Sequence, residues 1–250
     1  MTNQSLTVLI VGATGSVARH VVAASVRAGH RTRALARSRY RAAGLDRGAE
    51  IVIGDLTDAS TLADAVADID AVIFTHGDNS HGEAVNYGAV RNVLTALGGR
   101  PVRIALMTTL GVTVRQDSSE WKRRGERLVR ASGNEYTVVR PGWFDYNDDD
   151  QLRIVMRQAD DHLTGTPADG VIARHELARV LVSALTEPLA VNKTFVLVAD
   201  RGDEQKSLTG VFETLMPDDA GALDGYGDRP NMPVDQEPQH IRDDLAHIRR

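Results

Sequence analysis

The chain has 250 residues and a formal net charge of −5, with 42% of residues hydrophobic and 25% charged, a composition that supplies a substantial globular core. This mild acidity argues against a protein whose main work is gripping nucleic-acid phosphates, and the lack of cysteine removes disulfides, thiolate metal sites and cysteine nucleophiles. No apolar run approaches the roughly 18 residues a membrane-crossing helix needs; Leu6–Val11 lacks a basic flank and the length of a secretory leader, so a cytoplasmic protein without a membrane partner is expected.

Leu6–Val11 reads as the first strand and Val17–Ala28 as the helix after it. Between them runs Gly12-Ala-Thr14-Gly15-Ser16-Val17-Ala18. Gly12 permits a turn that a Cβ opposes. Gly15 lets the backbone approach a pyrophosphate closely, and Ala18 lets the helix lie against the strand. The open N–H groups of the first helical turn and the helix dipole favour an anion there. Strand, glycine turn and helix in that order form the dinucleotide-binding signature, so Gly12, Thr14, Gly15, Ser16 and Val17 are predicted to cradle a pyrophosphate.

The second strand, Arg31–Ala36, is followed by Arg37-Ser38-Arg39. An NAD-specific site usually carries a carboxylate at this place. Here Arg37 offers a planar cationic fork to a 2′-phosphate, and Ser38 adds a hydroxyl. NADP(H) is therefore predicted over NAD(H), with Arg33 and Arg39 as secondary phosphate candidates. A third strand, Glu50–Ile53, leads into Gly54-Asp55-Leu56. Asp55 fits two roles equally: accepting a hydrogen bond from the adenine amino group while Leu56 packs on the ring, or forming a turn.

Farther on, strands are predicted at Ala71–Thr75, Val102–Met107, Thr137–Val139 and Thr194–Val198. The predicted helices are Ala59–Ala67, Gly82–Leu97, Ser118–Ala131 and His175–Leu185. Alternating strands and helices, with the strands almost continuously apolar, predict a doubly wound α/β Rossmann fold with a mainly parallel sheet over residues 1–206. From Ser207 the rhythm changes. A helix at Leu208–Leu215 gives way to Pro217 and a glycine-, aspartate- and proline-rich stretch, then a charged helix at Ile241–Ile248. Residues 207–250 read as an extended arm, either solvated or packed on the domain or a partner subunit through Leu223, Tyr226 and Met232.

Several side chains have two readings. Arg123, Arg124, Arg127 and Arg130 suggest a solvated basic helix face, and Lys122 and Glu126, four apart, suit a surface ion pair. His76 follows a strand at the ligand edge, where an imidazole can shuttle protons and His81 could share its pocket, or it is a loop histidine with no catalytic part. Tyr146 could turn its phenol toward a substrate, whereas Tyr136 reads as core packing. Trp143 and Phe144 offer an apolar wall to a ligand or fill the edge of the core. The acidic run Asp145–Asp150 matches no calcium loop and predicts a solvated loop without metal.

The glycine turn, Arg37, Gly54-Asp55-Leu56 and Tyr136-Thr-Val-Val-Arg140-Pro141-Gly142-Trp143-Phe144 together resemble an atypical short-chain dehydrogenase/reductase of the NmrA-like, NAD(P)-binding branch over roughly residues 5–200. The resemblance implies that Thr75, His76 and Gly77 pass beside the cofactor ribose and phosphates. It also implies that Thr108 and Thr109 stand beside the nicotinamide, that Lys122 holds the nicotinamide ribose, and that Pro141, Gly142, Trp143 and Phe144 close over it. The superfamily's proton donor, a tyrosine four residues before the lysine, is here Ser118, too weak an acid to act alike. The expected function is an NADP(H)-dependent oxidoreductase acting on a small molecule, with Thr108, Thr109, Lys122 and His76 as catalytic candidates. A non-catalytic NADP(H) sensor and an epimerase or isomerase are the alternatives. Relatives of this kind often pair through helices flanking the sheet, which keeps a homodimer open.

Overall fold

Val8, Leu9, Ile10 and Val11 are fully buried and form the heart of β1 (Thr7–Val11). Successive strand residues point to opposite faces, so an unbroken apolar run demands cover on both sides. The computed structural model describes residues 5–115, 117–160 and 163–248, and of residues 117 and 118 the backbone alone.

After β1 come α1 (Ser16–Arg27), β2 (Arg31–Ala36), a short α2 (Arg39–Ala42), β3 (Glu50–Ile53), α3 (Ala63–Val66), β4 (Ala71–Phe74), α4 (Gly88–Leu97) and β5 (Arg103–Met107). The second half holds α5 (Asp117–Ala131), β6 (Tyr136–Pro141), β7 (Trp143–Phe144), β8 (Arg153–Arg157), β9 (Val171–Ile172) and α6 (Arg174–Ser183). It ends with β10 (Lys193–Asp200), α7 (Thr209–Glu213) and α8 (Gln239–Ile248). Val8 and Ile10 pack on one side with Val17 and Val21 of α1 and Leu177 of α6. Leu9 and Val11 pack on the other with Val90 and Val93 of α4 and Leu128 of α5.

The strand order is β3-β2-β1-β4-β5-β6-β10-β9-β7, with β8 also against β10. Strands β1 to β6 and β10 run parallel, while β8 and β9 run antiparallel to β10. Chain direction along the sheet reverses between β1 and β4, and ligands bind beyond the strand ends at such a switch point.

Three strands lie outside the sequence expectation. β7 and β9 have two residues each, too few for any period to register. β8 alternates exposed and buried positions, a pattern weaker than the continuous runs of the central strands. The expected helix at 59–67 divides into a 3-10 turn (Ala59–Thr61) and α3, and the one at 82–97 opens with a π turn (Gly82–Tyr87) before α4. That turn is pressed against α5: a Cβ on Gly82 would lie 2.7 Å from Trp121, and one on Gly125 would lie 2.9 Å from the Asn86 carbonyl.

The solvated basic face expected on α5 is corrected. Arg123 and Arg127 are each 1% exposed, because the arm crosses this helix and supplies the missing acids. Asp224 accepts from Arg123 and Arg127, Glu237 from Arg124 and Arg127, Asp218 from Arg130, and Asp228 from Arg140. Met232, Ile241 and Leu245 are buried, whereas Tyr226, expected as an anchor, is left 43% exposed.

Candidate functional site

At the C-terminal ends of the parallel strands lies a cavity of about 910 Å³, near the upper end of the range for small-molecule and cofactor sites. It is bordered by Gly12, Thr14, Gly15, Ser16 and Val17, by Arg37, Asp55 and Leu56, and by Thr75, His76 and Gly77. Thr108, Thr109, Lys122, Pro141, Gly142, Trp143 and Phe144 complete the wall. Of the residues singled out for cofactor or chemistry in the sequence, Ser38, Arg33, Arg39 and Tyr146 lie off this wall, and Ser38 serves the fold. Its side chain accepts a hydrogen bond from the Arg41 amide and caps α2. Sequence reasoning missed Asn79, Val85, Leu110 and Leu163, which also border the cavity; no motif marks them.

The glycine turn is built by its own residues. Gly12 has φ +81°, and its carbonyl accepts from the Gly15 amide at 2.9 Å. Gly15 then opens α1 with no side-chain cap and no acidic residue in the first turn. A helix start of this kind leaves backbone donors and a positive dipole end for an anion. A Cβ at position 12 would run into the His76 backbone at 2.9 Å, so the turn can lie this close to the loop after β4 only with glycine there, and the start of α1 is left open to an anion.

At one end of the cavity Arg37 follows β2 with an exposed side chain. Arg33 is corrected as a secondary phosphate ligand. Its guanidinium donates to the carbonyls of Asp64, Ala65 and Ala67 and to Glu50. Asp55 takes the turn role that the sequence left open: its Oδ1 accepts from the amide and hydroxyl of Thr57. Those two bonds, with the Arg37 charge as a lesser contributor, hold its carboxyl below the usual range.

The other end gathers His76, Thr108, Thr109 and Lys122. Thr108 is buried, and its hydroxyl donates to Glu126 Oε1 at 2.7 Å. Glu126 is fully buried and also accepts from Arg130 and Arg140, so the Lys122–Glu126 ion pair suggested by spacing is not formed. Lys122 instead borders the cavity half-buried, and burial lowers its pKa. Asn86, missed by sequence reasoning, fixes the loop after β4: its Oδ1 accepts from the Asp78 amide and its Nδ2 donates to the Asp78 carbonyl.

His76 Nδ1 is buried without a hydrogen-bond partner among the described residues. An orphaned buried nitrogen is uncommon and calls for an explanation, of which a bound ligand is one. Burial pushes the imidazole down to about 4, opposed by the Asn86 backbone and assisted by the Lys122 charge. Between pH 6.5 and about 4 the unfolded chain binds a proton that the folded chain refuses. The group therefore costs nothing above pH 6.5 and lowers stability as pH falls toward 4, by about 3 kcal/mol in all. We expect His76→Asn to flatten the slope of unfolding free energy against pH across that window, as read by urea denaturation; an unchanged slope refutes it.

The remaining candidates take structural places. Tyr146 is 61% exposed and meets Trp143 edge-on at 6.2 Å, off the cavity wall. In the acidic run, Asp145 pairs with Arg174, while Asp148 and Asp150 pair with Arg201. Ser118 is the second residue of α5, with its side chain outside the described residues.

A family model described as NAD(P)H-binding matches residues 12–188. The chain is 26% identical over 215 residues to phenylcoumaran benzylic ether reductase PT1 of Pinus taeda, a match covering 76% of this chain and 68% of that protein. It is 27% identical over 194 residues to an NAD(P)H azoreductase of Xenophilus azovorans, covering 75% of this chain and 66% of the other. The match thus spans about two thirds of the length of these relatives. Among solved structures, the oxidoreductase ylbE of Lactococcus lactis superposes with a TM-score of 0.69 at 15% identity, over 84% of this chain and 96% of that one, a likeness of fold.

Proposed function

The chain belongs to the NAD(P)H-binding family, and on that premise we propose that it is an NADP(H)-dependent oxidoreductase of the NmrA-like branch acting on a small organic molecule. The observation that carries this reading is a single cavity running from Arg37, past the glycine turn, to Lys122 and His76. Amides of the first turn of α1 hold the pyrophosphate, and Arg37 holds the 2′-phosphate through charge-assisted hydrogen bonds. Lys122 positions the nicotinamide ribose, with Thr109 beside the reacting carbon and Trp143 and Phe144 excluding water. Bound there, the nicotinamide supplies or accepts a hydride. Among the described residues no helix is long and apolar enough to cross a membrane, and the proposed location is the cytoplasm, with a small molecule rather than nucleic acid as partner.

Protonation limits the substrate class. Thr108 spends its proton on Glu126, and an imidazole with a pKa of about 4 is neutral near pH 7. Acceptors that take a hydride without a protein acid, such as quinones or flavins, are therefore favoured over aldehydes. The engaged Thr108 hydroxyl also favours a second reading, a sensor that binds NADP(H) without turnover. Following NADPH oxidation with quinones, flavins and aldehydes separates the two: consumption with the first two supports the reductase, and tight binding with no consumption supports the sensor.

Cofactor choice is tested by titrating NADPH and NADH against the wild type and Arg37→Ala. Loss of this contact is expected to weaken NADPH binding by about 1.5–3 kcal/mol and to leave NADH binding nearly unchanged. Equal affinity of the wild type for both cofactors overturns the preference.

A further inference from the structure

Arg174 opens α6 and reaches two segments that are distant in sequence. Its Nε donates to Ser16 Oγ at 3.3 Å, across 158 residues of chain. Its Nη1 pairs with Asp145, and its backbone amide donates to Asp145 Oδ1 at 2.9 Å. The guanidinium carbon lies 5.0 Å from the centre of the Phe144 ring. Ser16 and Phe144 both border the cavity. Arg174 itself does not border the cavity; it stands directly behind two residues that do, meeting the glycine turn through Ser16 and the Phe144 ring with its guanidinium.

The charges around the cavity leave a gap that this residue fills. The fixed cations among the bordering described residues are Arg37 and Lys122. A dinucleotide presents the 2′-phosphate to the first and a ribose to the second, so its pyrophosphate, with two negative charges, meets helix amides but no full positive charge. Among the described residues, Arg174 is the cation whose side chain hydrogen-bonds to that turn. A guanidinium has five N–H donors, and the bonds to Ser16 and Asp145 use the Nε donor and one on Nη1, so Nη2 is not engaged by either and is available to a ligand. The side chain is 28% exposed, open enough to be met by a ligand and anchored enough to be preorganised.

We propose that Arg174 is a pyrophosphate ligand of the dinucleotide, aimed by Asp145 and by the Phe144 ring. The inference rests on the cavity being the NADP(H) site. Asp145 holds the guanidinium at the turn before the cofactor arrives, which removes the cost of ordering a long side chain on binding. Asp145 itself adopts φ +59°, a left-handed conformation costly for a residue with a Cβ and kept where surrounding contacts over-determine it. Its two bonds to Arg174 are contacts of that kind.

The test compares two probes on the full chain, NADPH and adenosine 2′-monophosphate, which keeps adenine, ribose and 2′-phosphate but has no pyrophosphate. Arg174→Met is expected to raise the Kd for NADPH about 10- to 100-fold and to leave that for adenosine 2′-monophosphate within about 2-fold of wild type. Arg174→Lys, which keeps the charge but not the fork, is expected to recover part of the loss. Unchanged NADPH affinity in Arg174→Met overturns the proposal. So does an equal loss for both probes, which marks the residue as structural only. A wild type that binds neither probe instead refutes the cofactor reading, so the two failures are distinguishable.

Discussion

Glu126→Ala is expected to destabilise the chain by about 3–5 kcal/mol, the cost of breaking a buried ion pair and leaving a charge behind. In a chain of this length that corresponds to a fall in Tm of roughly 6–20 °C. Glu126 is fully buried and accepts from Arg130, Arg140 and Thr108. The five arginines Arg123, Arg124, Arg127, Arg130 and Arg140 are matched by Glu126 and by Asp218, Asp224, Asp228 and Glu237 of the arm. Losing one acid strands positive charge in a place without water, where mutual repulsion is weakly screened. The same substitution frees the Thr108 hydroxyl at the cavity wall, so cofactor affinity is expected to change with stability. Glu126→Gln keeps the shape and two polar atoms and is expected to fall between. Removing residues 217–248 takes the four acids of the arm and is expected to leave a chain that does not fold. Urea denaturation by circular dichroism reads all three, and a loss below about 1 kcal/mol for Glu126→Ala would sink the argument.

The distance between partners explains what was legible in the sequence and what was not. The glycine turn could be read because its logic is local: a strand, Gly12, Gly15 and a helix follow one another directly. Arg37 could be placed because it follows a strand whose end is fixed by that same unit. The pairing on α5 could not, because Arg127 finds Asp224 97 residues later and Arg140 finds Asp228 88 residues later. Four arginines on one helix look solvated until the chain returns with acids. Glu126 illustrates the same limit at short range: helical spacing suggested Lys122, yet tertiary packing delivers Arg130, Arg140 and Thr108 instead. Likewise, nothing in the chain near Arg174 announces Ser16. Asp55 was undecided by spacing; its Oδ1 forms the turn with a hydroxyl two residues on, while the residue also borders the cavity.

Gly12→Ala is expected to cost about 2–5 kcal/mol of stability and more than about 100-fold in NADPH affinity. Two effects add in the fold. An alanine at φ +81° bears the left-handed penalty of roughly 1–2 kcal/mol. Its Cβ would also lie 2.9 Å from both the Cα and the amide nitrogen of His76, a backbone contact that no rotamer can relieve, worth about 1–3 kcal/mol as overpacking. The relief available is to push the turn away from the loop after β4. Such a shift moves the first amides of α1 off the proposed pyrophosphate position and His76 with them, and loss of two such charge-assisted contacts at about 1.5–3 kcal/mol each exceeds a 100-fold change in affinity. Gly77→Ala is the internal control. A Cβ there would meet nothing nearer than Asn86 Oδ1 at 3.9 Å, so stability is expected to stay within about 0.5 kcal/mol of wild type. If Gly77→Ala nevertheless weakens NADPH binding, the space beside Gly77 belongs to the ligand. If Gly12→Ala binds NADPH as the wild type does, the cradle at the start of α1 is not the phosphate site.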